Sequence, residues 1–309
     1  MPDLTLLVVA DPAAAYLAPL GQLKSMARMI VTNDRGEILR AAPEADVLLN
    51  GDFRGGELFQ EAFRQGRRLR WAHSPAAGVE KVLSPEIAAS EVPLTNGRGV
   101  FARPLGEWIV GAMLFFTYDM RKNLEDQRAR RWKPAEHGEL YGQTLAIIGY
   151  GSIGRAAEER ARAFGMNILT IRRGERAKLR EVLSQCDFAA VCAPLTRETR
   201  GMIGAAEIAA MKRTAVIINV GRGPVIDEKA LIAALRENRI RGAALDVFET
   251  EPLPPDSPFF ELENVLISPH SADLLPDLRE RALQFFVENF HRFVKGEPLQ
   301  NVVDKHAGY

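Results

Sequence analysis

Gly149, Gly151 and Gly154 stand in the run Gly-Tyr-Gly-Ser-Ile-Gly, directly after the apolar segment Leu-Ala-Ile-Ile and directly before Arg-Ala-Ala-Glu-Glu-Arg-Ala-Arg-Ala-Phe, which has helical composition. A strand, a tight turn and a helix satisfy that pattern, and the spacing of the glycines narrows it further. Gly149 permits the turn, Gly151 lets backbone approach a diphosphate, and Gly154 lets the helix close on the strand. The start of that helix offers unpaired N–H groups and the positive end of a dipole. The backbone of Gly149, Gly151, Ser152, Ile153 and Gly154 is therefore expected to hold the pyrophosphate of a dinucleotide.

This unit belongs to a series. Apolar runs at Thr144–Ile148, Asn167–Ile171, Phe188–Val191, Ala215–Asn219, Gly242–Val247 and Val265–Ser268 read as six strands with helices between them. The first hundred residues use the same grammar, with strands expected at Leu4–Ala10, Ala45–Leu49, Leu69–Ala72 and Val92–Thr95 and a helix-compatible stretch at Tyr16–Arg28. Strands joined by helical crossovers pair in parallel, so the expected class is α/β with two doubly wound parallel-sheet domains. Residues 1–100, completed by 278–309, are expected to form one domain and residues 101–277 the other. A long helix at Pro104–Arg131 connects them, and the chain's 309 residues, about twice a usual domain, allow two cores.

Composition removes several classes of function. Forty Lys and Arg balance forty Asp and Glu, which disfavours a nucleic-acid binder. The longest apolar runs fall short of the roughly 20 residues that cross a bilayer, so no membrane partner is expected. The start MPDLTLLVVADPAAA lacks a basic leader region, and the cytosol is the expected compartment. Cys186 and Cys192, the only cysteines, read as core thiols rather than disulfide partners or metal ligands, and no metal site is expected.

The second strand of the series ends in Ile171-Arg172-Arg173. A dinucleotide fold that selects NAD(H) carries an acid about 20 residues after the glycines, on the ribose hydroxyls. Two guanidinium groups there instead suit a 2′-phosphate, so NADP(H) is the preferred carrier and NAD(H) the second. Three later segments each follow an expected strand: INVGRGPVIDEKAL around Arg222, LDVFETEPLPPDSPF around Asp246 and Glu251, and LISPHSADL around His270. Carboxyl ends of strands in a doubly wound sheet line one crevice, which can bring a cation, a carboxylate and an imidazole together.

With these segments in view, the sequence resembles the D-isomer-specific 2-hydroxyacid dehydrogenase family. Asn219-Val-Gly-Arg222-Gly223, Asp246-Val-Phe-Glu-Thr-Glu251-Pro252, Pro269-His270 and Cys186-Asp-Phe with Pro194-Leu-Thr-Arg-Glu-Thr199 are similar to the family's patterns, and Ala76-Ala77-Gly78-Val79 to its glycine loop. Glu80, where Asp is common, and Ser271-Ala272-Asp273 depart from the pattern. The resemblance implies a flavodoxin-like substrate domain and a Rossmann dinucleotide-binding domain. It implies hydride transfer between a nicotinamide cofactor and C2 of a small 2-oxo acid, glyoxylate or hydroxypyruvate being favoured.

On that resemblance Arg222 holds the substrate's carboxylate and carbonyl oxygen, His270 is the acid/base and Glu251 its partner. Ala77 and Gly78 meet the carboxylate through N–H groups, while Pro194, Thr199 and Asp246 face the cofactor. A homodimer is implied by the helix Pro104–Arg131 and the arm after Trp132. The competing expectations are a non-enzymatic dinucleotide sensor of corepressor type, or a dehydrogenase of 3-phosphoglycerate or formate.

Overall fold

The computed structural model describes residues 4–53 and 55–308; residues 1–3 and 309 of the expected first-domain span lie outside the described residues. The chain forms two compact units, the described parts of Met1–Phe101 with Leu275–Tyr309, and Ala102–Leu274. The first holds strands β1 (Thr5–Val9), β2 (Arg28–Thr32), β3 (Val47–Asn50), β4 (Trp71–Ser74) and β5 (Leu94–Asn96), with helices α1 (Arg35–Ala41), α2 (Glu57–Gln65) and α3 (Pro85–Ala89). All five strands are parallel, in the order β2-β1-β3-β4-β5. Residues 47–50 of β3 and 71–74 of β4 are buried on both faces, as central parallel strands require.

One element differs from expectation. Tyr16–Arg28 does not form an α-helix: Ala15–Leu23 is a 3₁₀-helix with Pro19 inside it, and the chain then enters β2. Proline removes a helical N–H donor, and Gly21 weakens the next turn, so the element stays tight and short. β2 lies at the sheet edge and is mostly half-buried, its apolar run limited to Met29, Ile30 and Val31.

The second unit opens with α4 (Ala102–Thr117) and α5 (Met120–Arg128). The expected single helix over Pro104–Arg131 is thus two, broken where Asp119 takes a left-handed φ of 48°. There follow β6 (Thr144–Ile148), α6 (Ser152–Ala163), β7 (Asn167–Ile171), α7 (Leu179–Gln185), β8 (Phe188–Val191), α8 (Ala205–Ala210), β9 (Val216–Asn219), α9 (Glu228–Arg236), β10 (Gly242–Leu245) and β11 (Val265–Ile267). The six strands expected in series all form, in one parallel sheet ordered β11-β10-β9-β8-β6-β7. The direction of winding reverses between β6 and β8, where α/β folds bind ligands beyond the carboxyl strand ends.

Helix α10 (Leu278–Val294) returns the chain to the first unit. Its Phe286 stacks on Trp71 at 5.0 Å between ring centroids, and Leu283, Val287 and Phe290 join the same buried cluster as Leu6, Val8 and Leu49. Among the described residues no helix is long and apolar enough to cross a membrane.

Candidate functional site

Gly149 follows β6 with a φ of 92°, a conformation L side chains rarely adopt. A Cβ on Gly149 would lie 2.5 Å from the Ala193 nitrogen, and one on Gly221 would lie 2.6 Å from the Ala193 oxygen. The ends of β6, β8 and β9 therefore close on the backbone of Ala193. Gly154 has the packing role its position suggests, since a Cβ there would lie 2.8 Å from Ile147 Cγ2. A Cβ on Gly151, by contrast, would meet nothing within 4 Å. Packing does not demand that glycine; an open backbone face at the start of the 12-residue α6 fits a diphosphate. The neighbouring loop is closed by Thr199, whose Oγ1 donates to the Pro194 carbonyl at 2.6 Å and accepts from Thr196 N at 2.8 Å.

Arg172 and Arg173 emerge exposed from the end of β7. The Arg172 guanidinium carbon sits 4.7 Å over the Tyr150 ring centroid, a cation–π placement. Tyr150 in turn donates its hydroxyl to Glu158. That bond pushes the Tyr150 phenol up, and together with the Arg162 guanidinium it holds the Glu158 carboxyl below its usual range. Tyr150 escaped the sequence reading because it occupies a variable position of the glycine motif.

The three segments around Arg222, Glu251 and His270 follow β9, β10 and β11, which are adjacent in the sheet. His270 takes a left-handed φ of 50°, and its N–H donates to the Asp246 carbonyl at 2.8 Å. Its Nδ1 lies 2.6 Å from Glu251 Oε2, while Glu251 Oε1 accepts from Phe248 N at 2.9 Å. Both oxygens of one carboxylate are thereby used to aim one imidazole, whose side chain stays 47% exposed and so remains reachable.

Asp246, buried to 2% exposure, accepts at one oxygen from Ser268 Oγ (2.6 Å), Ser271 N (2.9 Å) and Ala272 N (3.0 Å). This carboxylate ties down the loop that carries His270. Arg222 sits in a turn shaped by Asn219, which accepts from Gly221 N at 3.1 Å and donates to the Arg222 carbonyl at 3.2 Å. Asp273, singled out only as a departure from the family pattern, is held in the same field. Burial pushes its carboxyl up and Asp246 adds to this, while His270 and Arg222 pull it down.

In the first unit, Ala77 and Gly78 lie in the loop after β4. The Ala76 carbonyl accepts from Gly97 N at 3.0 Å and the Ala77 carbonyl from Asn96 Nδ2 at 2.7 Å. A trans peptide is planar with its C=O and N–H opposed, so these two bonds turn the N–H groups of Ala77 and Gly78 away from Asn96 and Gly97. His73, just before this loop, has no acid/base part. Its Nδ1 meets the Thr95 hydroxyl at 2.7 Å, and burial pushes its pKa down to about 3, so it is neutral at physiological pH. Burial likewise pushes the Cys186 and Cys192 thiols up to about 12, which makes them poor nucleophiles. Among the described residues no group of three or more His, Cys, Asp or Glu side chains is placed to hold a metal ion.

Comparison with known proteins identifies the family. Residues 110–272 match the family described as D-isomer specific 2-hydroxyacid dehydrogenase, NAD binding domain. The chain is 36% identical over 262 residues to a glyoxylate reductase of Korarchaeum cryptofilum, covering 79% of each chain. A D-isomer specific 2-hydroxyacid dehydrogenase family protein from Aeromonas salmonicida superposes with a TM-score of 0.85 at 30% identity, covering 98% of this chain and 99% of that one. An NADPH-dependent glyoxylate/hydroxypyruvate reductase from Sinorhizobium meliloti, solved with NADP and sulfate, gives 0.84 at 27% identity, covering 99% and 100%. A family match over residues 110–272, more than half of the chain, and a relative 36% identical over 79% of it establish that the chain belongs to the D-isomer-specific 2-hydroxyacid dehydrogenase family.

Proposed function

We propose that the protein reduces a small 2-oxo acid, glyoxylate or hydroxypyruvate, to its 2-hydroxy acid with NADP(H). The 2.6 Å contact between His270 Nδ1 and Glu251 Oε2 carries this reading. With Nδ1–H donated to a carboxylate, a protonated imidazole bears its second proton on Nε2, where it can be given to a carbonyl oxygen and later taken back. A nicotinamide, when bound, supplies the hydride for C2. Negative charge then grows on the carbonyl oxygen, and the Arg222 guanidinium is assigned to that oxygen and to the substrate carboxylate. The N–H groups of Ala77 and Gly78 are assigned to the carboxylate as well.

The backbone of Gly149, Gly151, Ser152, Ile153 and Gly154 is assigned to the pyrophosphate, with Pro194, Thr199 and Asp246 along the rest of the cofactor. Arg172 and Arg173 are assigned to a 2′-phosphate. This is supported by the exposure of both side chains at the end of β7 and by the Tyr150 ring beneath Arg172. The compartment on this reading is the cytosol, consistent with two free thiols.

The test is initial-rate assay of NADPH and NADH oxidation against glyoxylate, hydroxypyruvate, pyruvate and phenylpyruvate. Turnover of one of the first two with NADPH is expected, and none above background with any of the four rejects the reading. In the same assay, Arg172→Asp is expected to move the NADPH-to-NADH ratio of kcat/KM toward NADH by about 10–100-fold, the worth of a charge-assisted contact. An unchanged ratio rejects the 2′-phosphate assignment.

A homodimer built on the second unit completes the proposal. Trp132 is 97% exposed, Tyr141 73% and Leu124 49%, and exposed aromatic and aliphatic side chains of this kind mark association surfaces. Sedimentation equilibrium is expected to give twice the mass of one chain, and Trp132→Glu to shift the population toward the monomer. Monomer mass for the unaltered protein discards the dimer.

A further inference from the structure

Residues 300–305 pack on the segment that supports the loop assigned to the substrate carboxylate. After α10, Asn289 grips residue 300 twice, donating to its carbonyl at 3.0 Å and accepting from its N–H at 2.8 Å. The following residues run antiparallel along the edge of β5. Thr95 bridges Val302, Val303 N donates to the Leu94 carbonyl at 2.8 Å, and Lys305 Nζ donates to the carbonyls of Ser90 and Val92 at 2.6 Å each. This covers the β5 edge of the first sheet, and an uncovered edge invites pairing with another chain.

Asn301 does more than cover the edge. Its backbone carbonyl accepts from Asn96 N at 3.2 Å, while its Nδ2 donates to the Arg98 carbonyl at 2.6 Å and the Asn96 carbonyl at 3.3 Å. Asn96, 2% exposed, then donates to the Ala77 carbonyl, and Gly97 N to the Ala76 carbonyl. The two strands of this relay are packed backbone to backbone: a Cβ on Gly97 would lie 1.9 Å from the Pro75 oxygen. Asn301 itself sits at a left-handed φ of 54°, which asparagine tolerates better than most side chains.

We infer that Asn301 is a positioning residue for substrate binding. Through Asn96 and Gly97 it sets the peptide planes of Ala76 and Ala77, and hence the direction of the N–H groups of Ala77 and Gly78. The inference rests on the proposed role of that loop as carboxylate receiver. It assigns to Asn301 a part in substrate affinity and none in cofactor affinity.

Asn301→Gly keeps the left-handed backbone and removes the amide, and the near-isosteric Asn301→Asp replaces the donor with a charge that repels the two carbonyls. Kinetics with glyoxylate and NADPH are expected to show KM for glyoxylate about tenfold higher in Asn301→Gly and higher still in Asn301→Asp. The KM for NADPH and the kcat should stay within about twofold. Amide hydrogen exchange at residues 76–79 should quicken in both variants, with the exchange of β1 and β3 unchanged. Unchanged glyoxylate KM in both variants overturns the inference, as does an equal loss in every kinetic parameter with a general rise in exchange. If wild type turns over no 2-oxo acid, the reading of the reaction fails, and unchanged exchange at 76–79 in both variants then separately rejects the relay.

Discussion

His270→Ala is expected to lower kcat/KM for 2-oxo acid reduction by about 10²–10⁴-fold, the usual worth of a positioned acid/base, while NADPH still binds and quenches protein fluorescence as in the wild type. The size of the loss reflects how completely the ring is committed. The loop bearing it is fastened by three hydrogen bonds to Asp246 Oδ1 and one to the Asp246 carbonyl, and its Nδ1 is engaged by Glu251. Alanine leaves that scaffold in place and removes only the proton carrier. Glu251→Gln should cost less, because the imidazole itself remains, while the amide offers one acceptor oxygen where the carboxylate offers two, to Nδ1 and to Phe248 N. Turnover of His270→Ala equal to wild type would remove the acid/base assignment outright.

The second large effect is expected from a residue with no reacting atoms. A Cβ on Gly223 would lie 1.9 Å from the Phe248 carbonyl carbon, 2.1 Å from its oxygen and 2.4 Å from Glu249 N. All three are backbone atoms, so no side chain can swing aside. Gly223→Ala must move either the turn that holds Arg222 or the turn in which Phe248 N donates to Glu251 Oε1 at 2.9 Å. Forced overpacking of this kind costs about 1–3 kcal/mol or more, and a melting temperature lower by roughly 2–12 °C is expected for a protein of this size. Activity should fall further than the melt explains, since the displaced turn aims His270. A variant with native melting temperature and native turnover would show that Arg222 and Glu251 are not mechanically joined through Gly223.

Both expectations depend on contacts whose legibility in the sequence was uneven. In the second unit β8, β9 and β10 were readable as short runs buried throughout, as a central parallel strand demands, whereas the edge strands β7 and β11, only partly buried, were readable from their place in the alternation of strands and helices. β2 was not readable although Met29, Ile30 and Val31 are apolar, because the run is short and directly follows the stretch Tyr16–Arg28, whose composition suits a helix. The break between α4 and α5 was hidden in a run of helical composition; Asp119 at φ 48° leaves no mark that composition detects. In the site, residue types were legible and their partners were not. Tyr150 and Asp273 stand inside motifs that were quoted, yet nothing in their spacing says that one carries Arg172 and the other shares a field with His270 and Arg222.

From its sequence alone the chain was committed to a strand, a glycine turn and a helix that fit a diphosphate, and to a cation, a carboxylate and an imidazole at three successive strand ends, because these arise from local sterics and from a hydrophobic period. Tertiary structure alone decided which of those groups touch. Glu251 meets His270 across 19 positions, and Asn301 meets Asn96 and Arg98 across more than two hundred. Those encounters depend on the lateral order of strands and on where the last helix returns the chain. Distance along the chain holds no record of either, since neighbours in a sheet are chosen by packing of whole elements rather than by the residues that later face one another.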